Sequence, residues 1–277
     1  MLTIQQALTA GYQQLVDSST PRLDAQILLC HVLDVEKPYL ITHTDQVLTA
    51  SQHTRWQALL ARRAQGEPIA YLLGYKDFWD LRFAVSSAVL IPRPETEHLI
   101  ETALAWLKGQ SGIHVVDVGT GSGAIAVTVA KHSTVTMHAV DISADALAIA
   151  RANAEHHGVA VQFYQGSLAQ PLLDQQQMVH LLLANLPYIA SDEVPQLAVS
   201  VHEPPLALDG GVDGLDLLRA LLRQVPQVCH PGALILLEIG NTQAQAVLDE
   251  AHTYLSLKEA RIITDLAGLD RIIYLQL

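Results

Sequence analysis

Charge and sulfur are both scarce in this chain, and aromatic rings are few. Of its 277 residues, 16% are charged, 5% are aromatic and two are cysteine. The thiols, Cys30 and Cys229, lack metal-ligand spacing and read as buried free cysteines. The thirteen histidines are scattered and include no set such as H-E-x-x-H, so no metal is expected; "EHHG" at 155–158 reads as a helix end. The opening stretch, "MLTIQQALTAGYQQ", has no basic segment followed by a continuous apolar core and is not expected to act as a signal peptide. No apolar run has the length of a bilayer span. A cytoplasmic chain without a membrane partner is the expectation.

Positive charge is the scarcest of all where it would matter for nucleic acid. The net charge is −12. Residues 1–110 hold 9 Lys/Arg against 11 Asp/Glu, whereas residues 111–277 hold 7 against 17. Extended duplex binding needs a basic face, and the second half has none in bulk. What is plentiful is apolar surface: half the residues are apolar, which marks a globular chain long enough for a large α/β domain and a smaller one.

The first 75 residues read as a small helical domain. "TIQQALTAGYQQLV" puts Ile4, Ala7, Leu8, Tyr12 and Leu15 on one face, and Thr3 with Gln6 fits a capping box. "TPRLDAQILLCHVL" offers Thr20 as cap and Pro21 at the first helical position, and a third helix is expected from Ser51 to Gly66. Residues 76–95 read as a β-hairpin linker, and residues 96–277 as the second domain. That domain opens with a helix capped by Thr96 and ending at Gly109. Apolar strand candidates follow at 113–118, 135–140, 161–164, 179–184, 233–239, 261–264 and 271–276, with helical stretches between most of them. The alternation implies a doubly wound, mostly parallel α/β sheet whose last two strands are an antiparallel pair.

Three constellations carry chemistry. In "VVDVGTGSGAIAVTVA" a strand runs into Gly119, Gly121 and Gly123 and then a helix, a turn that lets backbone approach a ligand. It is neither the dinucleotide G-x-G-x-x-G nor a P-loop. Asp141 ends the next strand, 22 positions after Gly119, where a carboxylate can take both ribose hydroxyls; Ser143 is the better cap for the helix that follows. In "LLLANLPYIA" an asparagine stands at the mouth of an apolar strand. The Asn185 oxygen and the Leu186 carbonyl can accept two N–H groups, Pro187 stiffens the loop, and Tyr188 offers a flat face. Together they form a clamp for a planar –NH2. Glu203 and Glu238 are read as lying near strand ends beside the site, without an evident need for a general base.

These residues resemble S-adenosylmethionine-dependent methyltransferases that act on planar amine or amide nitrogens. The fuller likeness is to the HemK/PrmC family. It rests on "RRAQGEPIAYLLGYKDFW" at 62–79, "VLIPRPETEHLIE" at 89–101, "DVGTGSGAIAV" at 117–127, "ANLPYI" at 184–189, "EPPLALDGGVDGLDLLR" at 203–219, "PGALILLEIG" at 231–240 and "DLAGLDRII" at 265–273. The resemblance implies a seven-stranded methyltransferase sheet with a helical N-terminal domain and a hairpin linker. It implies methylation of the glutamine amide in the Gly-Gly-Gln motif of class 1 peptide chain release factors, with no direct nucleic-acid partner. It assigns Gly119, Thr120, Gly121, Ser122, Gly123, Asp141, Ser167, Leu168 and Asn185 to the cofactor, with Ser167 and Leu168 at the adenine. Asn185, Leu186, Pro187 and Tyr188 are assigned to the substrate, and Asn185, Pro187 and Tyr188 to catalysis. The family has Pro where this chain has Leu186 and usually Asp where it has Ser167. Two alternatives stay open at this point: an adenine-specific nucleic-acid methyltransferase, and a cofactor-binding homologue weakened in catalysis.

Overall fold

A computed structural model describes residues 2–277 and divides into two compact units between Tyr75 and Lys76. The first unit contains α1 (Ile4–Gln14), α2 (Pro21–Leu33), α3 (Lys37–Thr42), α4 (Ala50–Ala64) and α5 (Ile69–Leu73). Thr3 and Gln6 close the expected capping box on α1. Two other caps differ from expectation. α4 is capped by Thr49, not Ser51, because Thr49 and Gln52 satisfy each other's backbone N–H groups. Thr20 precedes α2, but its hydroxyl donates to Asp24 instead of capping. Asp24 is buried and also pairs with Arg63 at 2.7 Å, tying α2 to α4. The core is Ile4, Ala7, Leu28, Leu29, Trp56 and Leu60. Gly11 is required there: a Cβ would stand 2.8 Å from the Trp56 ring.

The second unit begins with a hairpin, β1 (Tyr75–Phe78) and β2 (Leu81–Ala84), whose Phe78 and Phe83 pack with Ile100 and Val127. Then come α6 (Glu97–Leu107), β3 (His114–Val118), α7 (Ala124–His132), β4 (Thr136–Asp141), α8 (Ala144–His157), β5 (Val161–Gln165), α9 (Gln170–Asp174), β6 (Val179–Ala184), α10 (Asp216–Val228), β7 (Cys229–Glu238), α11 (Ala244–Tyr254), β8 (Glu259–Thr264) and β9 (Asp270–Gln276). All seven expected strands form one sheet in the order β5-β4-β3-β6-β7-β9-β8. Only β9 runs antiparallel to its neighbours, because the short β8–β9 connection cannot accommodate a crossover. β7 starts earlier than expected; a register shift opposite Val179–Leu181 accommodates Pro231 and Gly232.

Both faces of the sheet are covered, which explains the unbroken apolar strands. Val115, Leu181, Leu183, Leu234 and Leu236 face α6 and α7. Val116, Leu182, Ala184, Ile235 and Leu237 face α10 and α11. Among the described residues, no helix is long and apolar enough to cross a membrane.

The histidines are less scattered in space than in sequence. Tyr164, His138, His114, His180 and His230 form a row across β5, β4, β3, β6 and β7. His114 Nδ1 lies 3.1 Å from His138 Nε2, and His138 Nδ1 lies 3.2 Å from the Tyr164 hydroxyl. Among the described residues no group of three or more His, Cys, Asp or Glu side chains could hold a metal. Burial, then the nearby His114, pushes the His138 imidazole down to about 4. The native state therefore holds this ring neutral, while the unfolded chain protonates it below its ordinary value of 6.5. The contribution is full above pH 6.5 and is lost as pH falls toward 4, a loss of roughly 3 kcal/mol at most. Thermal unfolding of His138→Leu and wild type across this window should show the smaller acid-induced fall in the variant. Equal falls would remove His138 from the account.

Candidate active site

The parallel strands β3, β4, β5, β6 and β7 deliver their carboxyl ends to one edge of the sheet, where open α/β sheets bind ligands. One cavity there is lined by Gly119, Thr120, Gly121, Ser122, Asp141, Ser167, Leu168, Asn185, Leu186 and Pro187. Ten of the residues singled out in the sequence thus share a single cleft. Gly123 and Tyr188 do not line it. Gly123 serves packing: its φ is 81°, and a Cβ would approach Ala150 Cβ to 3.1 Å. Tyr188 is half-buried, and its carbonyl accepts a 2.8 Å hydrogen bond from Gln243.

The glycine turn is held by side chains from beneath. Thr120 lines the cleft, but its hydroxyl turns inward to Asp117 at 2.6 Å. Asp117 also accepts the Ala126 N–H, and burial pushes its carboxyl up to about 7 against these two bonds. Asn153, 2% exposed, donates to the Ser122 carbonyl at 2.8 Å and pairs with both backbone groups of Ala84. It joins α8, the turn and the hairpin. Nothing in the sequence marked it beyond being an asparagine in a helix of alanines.

Asp141 accepts the Gly121 N–H through Oδ2 at 2.8 Å and the Ser143 N–H through Oδ1 at 2.9 Å. Ser143 caps α8, so the carboxylate of Asp141 is not engaged as that helix's cap. Each carboxylate oxygen keeps acceptor capacity beyond its one backbone bond. Burial raises the Asp141 pKa, opposed by backbone N–H groups of Ser143, Gly121 and Ile142.

The arrangement fits a nucleoside cofactor. Gly121 has φ of 55°, and a Cβ there would meet no protein atom within 4 Å, so the turn leaves open space above its backbone. Asp141 stands beside that space with two acceptors for a ribose, and Ile142 and Leu168 line it with apolar surface. S-adenosylmethionine, expected from the sequence, matches this donor and acceptor set.

The second half of the cleft is the loop after β6. Neither Asn185 Oδ1 nor the Leu186 carbonyl accepts a hydrogen bond from another described residue, whereas Asn185 Nδ2 donates to Thr96 Oγ1 at 3.1 Å. Thr96 does stand at the N-cap position expected for α6, but its hydroxyl makes no cap bond and lines the cleft instead. Leu186 is only 4% exposed and packs on Gly119, where a Cβ would come within 3.0 Å of Leu186 Cδ2. The segment "LDGGVDG" at 208–214 braces the loop from behind: Gly210 N donates to the Ile189 carbonyl and Ile189 N to the Leu208 carbonyl. A Cβ at Gly210 or Gly214 would overlap the Pro187 or Tyr188 carbonyl. Glu238 does end a strand, β7, and is buried. Glu203 does not; it lies in the irregular segment before α10, buried and paired with Arg93 at 2.6 Å.

Comparisons with known proteins follow this division of the chain. The PrmC N-terminal domain family matches residues 6–74, and a methyltransferase domain family matches residues 115–203. A release factor glutamine methyltransferase of Koribacter versatilis is 38% identical, with 98% of each chain covered. One of Xylella fastidiosa is 43% identical over 91% of each chain, and one of Bacillus anthracis 32% over the whole of both. Among solved structures, a Pyrococcus furiosus methyltransferase aligns with a TM-score of 0.55 at 16% identity, covering 82% of this chain and 98% of its own. A T. thermophilus 16S rRNA methyltransferase in complex with AdoMet and guanosine aligns with a TM-score of 0.53 at 13% identity, covering 73% and 49%. At such identities these two structures speak for the fold alone.

Replacing Asp141 by Asn keeps the side chain's size but removes its charge and one of the two oxygens that accept the Gly121 and Ser143 N–H groups. S-adenosylmethionine affinity should fall by about 10- to 150-fold, the worth of a charge-assisted hydrogen bond. Calorimetry showing wild-type affinity would reduce Asp141 to a brace for Gly121 and Ser143.

Proposed function

Because this chain belongs to the release factor glutamine methyltransferase family, we propose that its cleft transfers a methyl group to the side-chain amide nitrogen of the glutamine in the Gly-Gly-Gln motif of a peptide chain release factor, a class 1 factor. The observation that carries the reading is the pair of unengaged acceptors, Asn185 Oδ1 and the Leu186 carbonyl, beside a turn and carboxylate suited to a nucleoside. Release factors act in translation, so the setting we assign is the cytoplasm.

An amide nitrogen is a poor nucleophile because its lone pair is delocalised into the carbonyl. When bound, S-adenosylmethionine supplies a methyl group already activated by its sulfonium. The Gly119–Ser122 turn and Asp141 would hold the nucleoside, with Ser167 and Leu168 on its adenine side. The protein's remaining task is alignment. Asn185 Oδ1 and the Leu186 carbonyl each accept one N–H of the substrate amide. This fixes the nitrogen's direction and stabilises positive charge developing there. Pro187 restricts the loop that carries both acceptors. Tyr188, next along the loop, is the ring we assign to the plane of the amide. The excess proton can pass to solvent after transfer, so no dedicated base is required.

Leu186 replaces the family's proline without removing the carbonyl. Its side chain is anchored against Gly119, so packing supplies restraint that a proline ring would otherwise provide. This favours a working enzyme over a weakened homologue. Residues 1–75, which hold no catalytic cluster, we assign to recognition of the protein substrate.

Mass spectrometry of a release factor incubated with the full chain and S-adenosylmethionine should find one added methyl group on the Gly-Gly-Gln glutamine; an unmodified factor would reject the reading. Asn185→Ala should cut transfer by at least about 100-fold, the scale for losing one preorganised polar group, with cofactor affinity nearly unchanged. Equal rates in this variant and wild type would sink the clamp. A chain starting at Lys76 should keep cofactor binding and lose affinity for the release factor, and unchanged affinity would reject the recognition role.

A further inference from the structure

The two ends of the Asn185 carboxamide differ in chemistry. Reversing it would present donors, not an acceptor, to an incoming –NH2, and the clamp would repel its substrate. The surroundings choose the orientation. Asn185 Nδ2 donates to Thr96 Oγ1 at 3.1 Å. Thr96 is buried at the start of α6, and its hydroxyl makes no helix cap. Pairing of Ala184 with Leu237 sets Glu238, the last residue of β7, beside Asn185. Glu238 is 1% exposed, and the neighbouring Thr96 and Asn185 side chains both favour its charged form. A reversed carboxamide would turn its oxygen toward that carboxylate with no hydrogen between them, an arrangement heavily penalised at a buried site.

We infer that Glu238 and Thr96 are positioning residues for methyl transfer: the Glu238 carboxylate, directly and through the Thr96 hydroxyl, holds Asn185 Nδ2 inward and thereby presents Oδ1 to the substrate amide. The inference rests on the proposed function for what the substrate is, and on packing alone for the orientation. It also accounts for a charged group that the reaction itself does not call for.

The lock has a built-in weakness. Glu238 Oε2 is buried without a partner among the described residues. Burial pushes the carboxyl up to about 7, with Thr96, Arg271 and Asn185 pulling it down and Glu95 pushing it up; burial and then the Glu238 charge in turn raise the Tyr188 pKa. Once protonated, Glu238 carries an O–H that can donate to an amide oxygen, so a reversed Asn185 is no longer excluded. Orientation should therefore be held above neutrality and loosen as pH falls through about 7.

The test reads Asn185 without substrate. In the full chain carrying isotope-labelled asparagine, the Asn185 side-chain NH2 resonances, assigned by their loss in Asn185→Ala, should move with pH around neutrality. They should be pH-independent in Glu238→Gln. With release factor, Thr96→Val should lower kcat by about 100-fold, the scale for a misplaced catalytic contact, with KM for S-adenosylmethionine little changed; Thr96→Ser, which restores the hydroxyl, should recover most of the loss. Asn185 resonances that ignore pH in wild type, or a wild-type kcat in Thr96→Val, would overturn the assignment. So would a Thr96→Ser enzyme as impaired as Thr96→Val. A wild-type chain that leaves every release factor unmodified, yet shows the expected Asn185 titration, would overturn the functional reading while supporting the lock.

Discussion

Parallel pairing of β3 with β4 and β6, and of β6 with β7, is the constraint from which the cleft follows. Parallel strands in adjacent register end at the same edge, so residues far apart in the chain become neighbours there. Gly119, Asp141, Asn185 and Glu238 each stand at such an end. None has to be brought in by a flexible loop. A displacement of one strand by a single residue would exchange its two faces and would pull the glycine turn and the Asn185 loop apart.

That placement obliges the protein to bury polar groups, and it does so by letting them hold backbone. Asp117 carries Thr120 and the first turn of α7, Asp141 carries Gly121 and Ser143, and Asn153 carries Ser122 and Ala84. Each bond offsets part of the desolvation cost while fixing a loop that would otherwise be mobile. The raised pKa of both aspartates shows that burial still outweighs the compensation. These carboxylates are tolerable because orienting the turn returns its value in ligand binding, where preorganised backbone loses little entropy.

Much of this was legible in the sequence, for physical reasons that also mark the limits. Strands covered on both faces leave continuous apolar runs, so β3, β4, β6 and the core of β7 stood out. Glycines in a strand-to-helix turn and an acid at a strand tip announced residues that share one cleft. The caps were less legible: Thr49 and Ser51 are equivalent by composition, and only the reciprocal bond with Gln52 separates them. Roles set by register across the sheet were hidden altogether. Thr96 reads as a helix cap until β6 is placed beside it, Glu238 reads as a strand end until it is found beside Asn185, and the histidine row exists only once five strands are aligned.

Leu186 shows how a departure from a motif can be absorbed by geometry. Proline would restrain the loop through its ring, which fixes φ at its own position and leaves the carbonyl's direction to ψ. Leucine leaves φ free but anchors its side chain in the core beneath, against a glycine that has no Cβ to exclude it. The restraint then no longer belongs to the substrate loop alone. It passes through Gly119, so the turn that would hold the cofactor also seats the residue whose carbonyl would receive the substrate. Leu186 Cδ2 lies 3.0 Å from where a Gly119 Cβ would be, so a side chain at 119 would crowd the residue whose carbonyl would receive the substrate. The two halves of the cleft thus pack against each other where Leu186 meets Gly119.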